Sequence, residues 1–224
     1  MEPFRITSSL DSLKETYPPS HYFREAISKG GHRGQSAIAR LWLSEGIPFA
    51  FKEKPGIYEA VREWLGARLS IEPKEISLSG SARIGYSLSP TKYGKIFSKN
   101  SDLDIFAISY DLFERIRKDF VLWSNDYEMG KIKPRTQKEN LYWRDNLRNL
   151  PKNINRGFID HKLIPNFNEY KNVQSTSQTM YLLKEKLNVT QNAPRIREAS
   201  LRVYKDWPSF TNQIVLNLAN LSRE

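Results

Sequence analysis

Ser101-Asp102-Leu103-Asp104-Ile105-Phe106-Ala107-Ile108 is the stretch on which the fold and the chemistry of this chain turn. Strand side chains alternate between two faces, so a strand over 102–108 puts Leu103, Ile105 and Ala107 on one side. Asp102, Asp104, Phe106 and Ile108 take the other. Two carboxylates at i and i+2 then stand roughly 6–7 Å apart along the strand, near enough to share one or two bound cations. Acidic residues on a strand are often no more than its solvated face. Here they head an otherwise apolar run and share their face with Phe106 and Ile108, which favours a site.

Upstream, Ile76-Ser77-Leu78-Ser79 predicts a short strand running into Gly80-Ser81, a turn that could present backbone N–H groups to phosphate. A short helix is expected over 82–88. The stretch from Ser87 to Asn100 carries Pro90, Lys92, Tyr93, Gly94, Lys95 and Lys99, and reads as a basic loop. Further back, Pro55 opens a helix with Ile57, Val61, Trp64, Leu65 and Leu69 at helical spacing, and Pro73 forbids its continuation. Gly30-Gly31-His32-Arg33-Gly34 could bind phosphate, but it follows no apolar strand and reads better as a loop before a helix at about 35–45. Residues 1–20, with Pro18-Pro19, read as an arm or an early surface helix.

Downstream, Asp111 is a fitting N-cap for a helix carrying Phe113, Ile116, Phe120 and Trp123. A helix near 137–149 and a third strand from Gly157, stopped by Pro165 and carrying Asp160, come next. The last third is mainly helical by pattern, with Met180, Leu183 and Leu187 in one segment and Phe210, Ile214, Leu218 and Leu221 in another. Residues 195–206 fit strand or helix. The expected organisation is a helical arm over 1–50, a core over 51–170 and a mainly helical part over 171–224 packed on it.

The 224 residues hold 35 Lys and Arg against 25 Asp and Glu, a formal charge of +10 that favours polyanionic partners over neutral ones. Scattered solvated lysines would give the same balance. With no cysteine, disulfides, cysteine nucleophiles and thiolate zinc sites are excluded. His21, His32 and His161 are too scattered for a histidine metal site, which leaves hard cations on oxygen ligands. The opening Met-Glu-Pro-Phe-Arg lacks the apolar core of a signal peptide, and no run reaches transmembrane length. A cytoplasmic protein without a membrane partner is the expectation.

Gly80-Ser81, then Gly85, then Ser101-Asp102-Leu103-Asp104 leading an apolar run, then a later strand with an aspartate, together resemble the DNA polymerase β-like nucleotidyltransferase superfamily. The resemblance spans roughly residues 76–165. Its bacterial members include signalling and antiviral-defence enzymes. It implies an α/β (α+β) fold: a small mixed sheet carrying three aspartates, flanked by helices at both ends. It also implies Mg²⁺-dependent (or Mn²⁺-dependent) transfer of a nucleoside monophosphate from an NTP or dNTP to a hydroxyl, with release of pyrophosphate.

By that resemblance Asp102 and Asp104 are the paired metal ligands, Asp160 the third, and Gly80-Ser81 the phosphate-contacting turn. Ser101, Arg83 and Lys92 are further candidates for the nucleotide site, and Arg83, Lys92, Lys95 and Lys99 are candidate electrostatic clamps, although each cation also fits a merely solvated role. Tyr204 is a candidate for stacking on a base, while Trp143 and Trp207 read as core. One departure is the long gap between the Gly-Ser turn and the aspartate pair, with the basic loop as an insert.

The nucleotide is expected in a cleft between the sheet and the C-terminal helices. The implied product is a linear or cyclic nucleotide signal, with nucleic acid or an operon-encoded effector protein as partner. Alternatives are a protein- or RNA-end-modifying enzyme of a toxin–antitoxin pair, and a catalytically silent regulator that binds nucleotide or nucleic acid.

Overall fold

The structure, a computed structural model, describes residues 3–4 and 8–221. Part of the arm expected over 1–20 (residues 1–2 and 5–7), and the last three residues of the C-terminal part, lie outside the described residues. The described residues form a mixed α/β protein with seven α-helices and one small four-stranded sheet.

The strands are β1 (Ile76–Leu78), β2 (Leu103–Ile108), β3 (Phe158–Asp160) and β4 (Ala199–Tyr204), in the spatial order β1-β2-β4-β3. β1 runs antiparallel to β2, with Leu78 opposite Ile105. β2 and β4 are parallel, pairing Leu103 with Ala199, Asp104 with Ser200 and Phe106 with Arg202. β3 closes the far edge antiparallel to β4, with Asp160 opposite Arg202. The stretch 195–206, compatible with strand or helix by pattern, thus supplies an interior strand from the part expected to be mainly helical.

The period-two reading of β2 holds in three dimensions. Leu103, Ile105 and Ala107 enter the main core, where Leu65 and Leu69 of α2 (Pro55–Leu69), Ile116 and Trp123 of α4 (Tyr110–Glu128) and Leu183 of α6 (Lys171–Val189) meet them. Phe106 and Ile108 point the other way, into a separate cluster with Phe158, Tyr204 and Phe210. The two faces are therefore dry on one side, and half aromatic, half carboxylate on the other.

Several local expectations change. Gly30–Gly34 is no loop: α1 runs from Ser20 to Leu41, with a kink at Gly31 (φ +52°). Phe23 and Ile27 before the kink and Ile38 after it are all buried, together with Leu218 and Leu221 of α7 (Trp207–Leu221). That shared burial outweighs the glycine content. Ser109, not Asp111, precedes α4, and Asp111 lies in its first turn. The helix expected at 137–149 is α5 (Gln137–Asn155), which continues through Pro151. β3 ends at Asp160, because the chain then turns in a 3₁₀ segment, His161–Leu163, that buries the His161 ring. Its Nδ1 lies 3.0 Å from the Leu201 carbonyl oxygen of β4. No helix among the described residues is long and apolar enough to cross a membrane.

Candidate functional site

A cleft of about 660 Å³ opens over the carboxylate end of the sheet, walled on one side by α7 through Phe210, Ile214 and Asn217. It lies where the sequence placed it, between the sheet and the C-terminal helical part. Gly80, Ser81, Ser101, Asp102, Asp104 and Asp160 all reach it.

The link between the Gly-Ser turn and Asp104 is local and tight. After β1, the Ser79 N–H donates to the Asp104 carbonyl oxygen at 2.8 Å, extending the ladder by one residue. The chain then turns at Gly80 with φ +62° into α3 (Gly80–Ile84), in place of the helix expected over 82–88. A Cβ at Gly80 would stand 3.1 Å from Asp104 Oδ2. Glycine is favoured here both by the left-handed backbone and by this close approach. Asp104 Oδ1 accepts a hydrogen bond from Ser200 Oγ at 3.0 Å, across the β2–β4 pairing. The carboxylate is open to the cleft but walled by protein elsewhere. Desolvation therefore pushes its pKa above the usual carboxylate value, against the pull of the Ser200 hydrogen bond, and Asp102 adds to the rise.

Asp102 precedes β2, which starts at Leu103 rather than at 102. Its carboxylate is forked by Arg197, Nε to Oδ1 at 2.9 Å and Nη2 to Oδ2 at 2.6 Å. The two segments are also tied through the backbone, with Arg197 N–H donating to the Ser101 carbonyl oxygen at 2.9 Å. Ser101 Oγ accepts from the Ser98 N–H at 3.1 Å and so closes the end of the basic loop.

Asp160 occupies a different situation. β4 stands between β3 and β2, which sets Asp160 two strand spacings, roughly 10 Å, from β2. Both its oxygens are held by Arg202, at 2.8 Å from Nε and 2.9 Å from Nη2. Mg²⁺ at about 2.1 Å from each ligand needs donor oxygens within about 4 Å of one another. Among the described residues no three Asp, Glu or His side chains come together in a group able to hold a metal ion. Asp102 and Asp104, hard oxygen donors side by side on the cleft, fit the one or two carboxylates that Mg²⁺ takes alongside substrate phosphates. Asp160, turned into Arg202, does not fit the role of third ligand.

The other candidates divide. Lys92 and Lys95 line the cleft, whereas Lys99 does not. The basic loop that carries them is folded: Ser87 N–H donates to Lys95 O at 2.9 Å, Phe97 N–H to Gly85 O at 2.8 Å, and Tyr86 bridges Ile96. Hydroxyls of Tyr86 and Tyr93 bond the Pro18 and Ser20 carbonyl oxygens at 2.8 and 2.6 Å, tying this flap to the start of α1.

Arg83 is a correction. It is 1% exposed, donates to the carbonyl oxygens of Trp42 (2.9 Å) and Gly46 (3.0 Å), and does not line the cleft. Its charge holds the fold together. Tyr204 is a second correction. It borders the cleft but is 2% exposed, with the rings of Phe106, Phe158 and Phe210 at 5.2–6.2 Å, so it has no open face for a base. Trp143 is core as expected, whereas Trp207, expected in the core, is 48% exposed at the start of α7.

Three cleft residues that were not among the site candidates read from the sequence are Arg197, Ser200 and Arg202. All line the cleft from the stretch that fitted strand or helix. Alternation of Ala199, Leu201 and Val203 with Ser200 and Arg202 was the available signal, since it places the polar pair on the face of Asp104. Four cations (Lys92, Lys95, Arg197 and Arg202) thus line the cleft with three aspartates. In comparisons with known proteins, no family model, no curated protein and no solved structure matched the chain.

Proposed function

We propose that the protein is a divalent-cation-dependent nucleotidyltransferase of the polymerase β-like kind, acting on a nucleoside triphosphate in the cleft over β2 and β4. One observation carries this reading. The Gly80 turn is packed against the Asp104 carboxylate, so a phosphate at the turn would lie beside a cation on Asp102 and Asp104. Charge supports it as well. The lining groups are close to balanced, and a triphosphate would add an excess of negative charge that a divalent cation offsets.

Bound Mg²⁺ or Mn²⁺ would neutralise the phosphates and activate an acceptor hydroxyl. The protein's share is to hold and orient. Ser200 fixes Asp104 through its hydroxyl. Arg197 neutralises Asp102 and must yield that carboxylate when a cation takes it. Lys92 and Lys95, on the folded flap, face the leaving pyrophosphate. The net charge of +10 favours an oligonucleotide or nucleic-acid product or acceptor, such as a nucleotide signal in bacterial antiviral defence made for an effector protein. Such an enzyme works in the cytoplasm, where its triphosphate substrates are.

A second reading, a catalytically silent nucleotide- or nucleic-acid-binding regulator, draws on one observation of its own. Two of the three cleft aspartates are already forked by arginines. Incubation with Mg²⁺ or Mn²⁺ and each labelled NTP or dNTP, followed by product resolution, separates the two. A ladder, a protein-bound label or a nuclease-resistant cyclic product, absent from the Asp102→Ala/Asp104→Ala variant, supports transfer and identifies the acceptor. If the wild type consumes nothing and both forms bind nucleotide equally, the silent reading replaces it.

A further inference from the structure

The neighbour that β4 gives Asp104 is a serine, and two residues further along the same face comes an arginine. Arg202 is fixed from two sides. Asp160 forks its Nε and Nη2, and the Phe158 ring lies under the guanidinium at 5.0 Å from centroid to Cζ. A guanidinium has five N–H donors, and Asp160 occupies two of them. Its side chain is 36% exposed, and the residue lines the cleft. A planar cation held rigidly at the floor of a cleft, with donors to spare, suits a phosphate, because little ordering remains to be done on binding.

We infer that Arg202 is a phosphate-binding residue of this cleft, and that Asp160 is its positioning residue rather than a ligand to a cation. The inference rests on the proposed triphosphate site and adds to it a binding group from β4. Asp160 then acts by aim. It holds the guanidinium plane against Phe158 at the cleft with three N–H groups not taken by the fork, and it leaves cation binding to Asp102 and Asp104.

The test uses the full chain and two probes. Binding of ATP and of inorganic tripolyphosphate is measured by calorimetry in EDTA, and Mn²⁺ binding is measured without nucleotide by the paramagnetic resonance of the free ion. Arg202→Gln and Asp160→Asn are expected to weaken both phosphate probes by about tenfold or more. Asp160→Glu, which keeps the carboxylate, is expected to recover part of the loss. Asp160→Asn should leave Mn²⁺ affinity at the wild-type value, whereas Asp104→Asn should lower it. If turnover is found, Asp160→Asn should act mainly on KM for the triphosphate, and a cation ligand would act on kcat. Should Asp160→Asn fail to fold by circular dichroism, Arg202→Lys, which keeps the charge but loses the fork, is expected to fall between wild type and Arg202→Gln.

The assignment is overturned if Asp160→Asn and Arg202→Lys bind tripolyphosphate as tightly as the wild type. It is equally overturned if Asp160→Asn loses Mn²⁺ together with Asp104→Asn. Absence of any nucleotide product, with metal-free binding still dependent on Arg202, would instead remove the transfer reaction and leave the phosphate site standing.

Discussion

Two aspartate–arginine pairs line the same cleft, and they differ in how freely they can part. Asp102–Arg197 joins a carboxylate just ahead of β2 to an arginine whose side chain is 62% exposed, on the segment leading into β4. Asp160–Arg202 joins two strand residues in register, with the arginine backed by aromatic rings. Both are bidentate, and in isolation their geometry is nearly the same. Water decides the difference. An exposed fork competes with solvent and salt and is readily exchanged, whereas one backed by β4 and Phe158 is held by the packing around it. The first pair can give up its carboxylate to a cation, and the second serves as a fixture.

The comparison breaks most sharply on activity. Removing both carboxylates at the head of β2, Asp102→Ala with Asp104→Ala, is expected to lower kcat by about 10³-fold or more, since the cation loses its protein ligands. Arg197→Ala is expected to keep turnover within about tenfold of the wild type, because its partner must be released before a cation binds. Single-turnover rates with labelled triphosphate measure both. An Arg197→Ala protein as inactive as the double variant would show that Arg197 is itself needed for turnover and is not merely displaced from Asp102.

Stability gives the next contrast. Arg202→Met should lower the unfolding free energy by about 1–3 kcal/mol, towards the lower end because a third of the side chain meets solvent, and it leaves Asp160 without its fork. Arg197→Met should leave the urea midpoint where it is. Equal midpoint shifts for the two variants would mean that the packing behind Arg202 adds nothing. Gly80→Ala belongs beside them. It forces a side chain into φ +62° and against Asp104 Oδ2, and should cost about 1–2 kcal/mol while also weakening Mn²⁺ binding through the displaced carboxylate.

Much of this arrangement was legible in the chain, and what was hidden shares one property. β2, α2 and α4 announce themselves through their apolar residues: β2 is apolar at every position but Asp104, and Leu65 and Leu69 of α2 and Phe113, Ile116, Phe120 and Trp123 of α4 recur at helical spacing. β4 does not, because Ser200 and Arg202 fill its cleft face and leave only three small or aliphatic positions to signal the strand. The cleft's chemistry thus disguises the element that supplies it. Arg83 looked like a clamp because it follows the Gly-Ser turn by two residues. Its fate is set by carbonyl oxygens at Trp42 and Gly46, about forty residues upstream, and no local pattern carries that contact. The kink at Gly31 is similar, since the loop-like composition yields to burial against α7 from the other end of the chain. For the same reason Asp160 could be placed on a strand but not in the sheet. Only the order β1-β2-β4-β3 separates it from Asp104.

Asp104 stands between the two pairs without an arginine fork of its own, and its smaller effect has a definite sign. Desolvation raises its pKa in the folded protein above the ordinary carboxylate value near 3.9. The folded state therefore binds the proton more tightly than the unfolded chain does. The stability this confers is fully present below about pH 4 and is lost as pH rises through the raised folded value. At neutral pH the ionised carboxylate is a cost that Asp104→Asn removes, while the amide oxygen can still accept from Ser200 Oγ. The variant should match or slightly exceed the wild type in urea unfolding at pH 7, and its advantage should shrink as the pH approaches 4. Saturating Mg²⁺ should close the gap at pH 7 from the other side, by stabilising the wild type alone. A wild type more stable than Asp104→Asn at pH 7 without cation would mean that the Ser200 hydrogen bond outweighs desolvation. Asp104 would then belong with Asp160 as a fixture rather than with Asp102 as a group held ready for a cation.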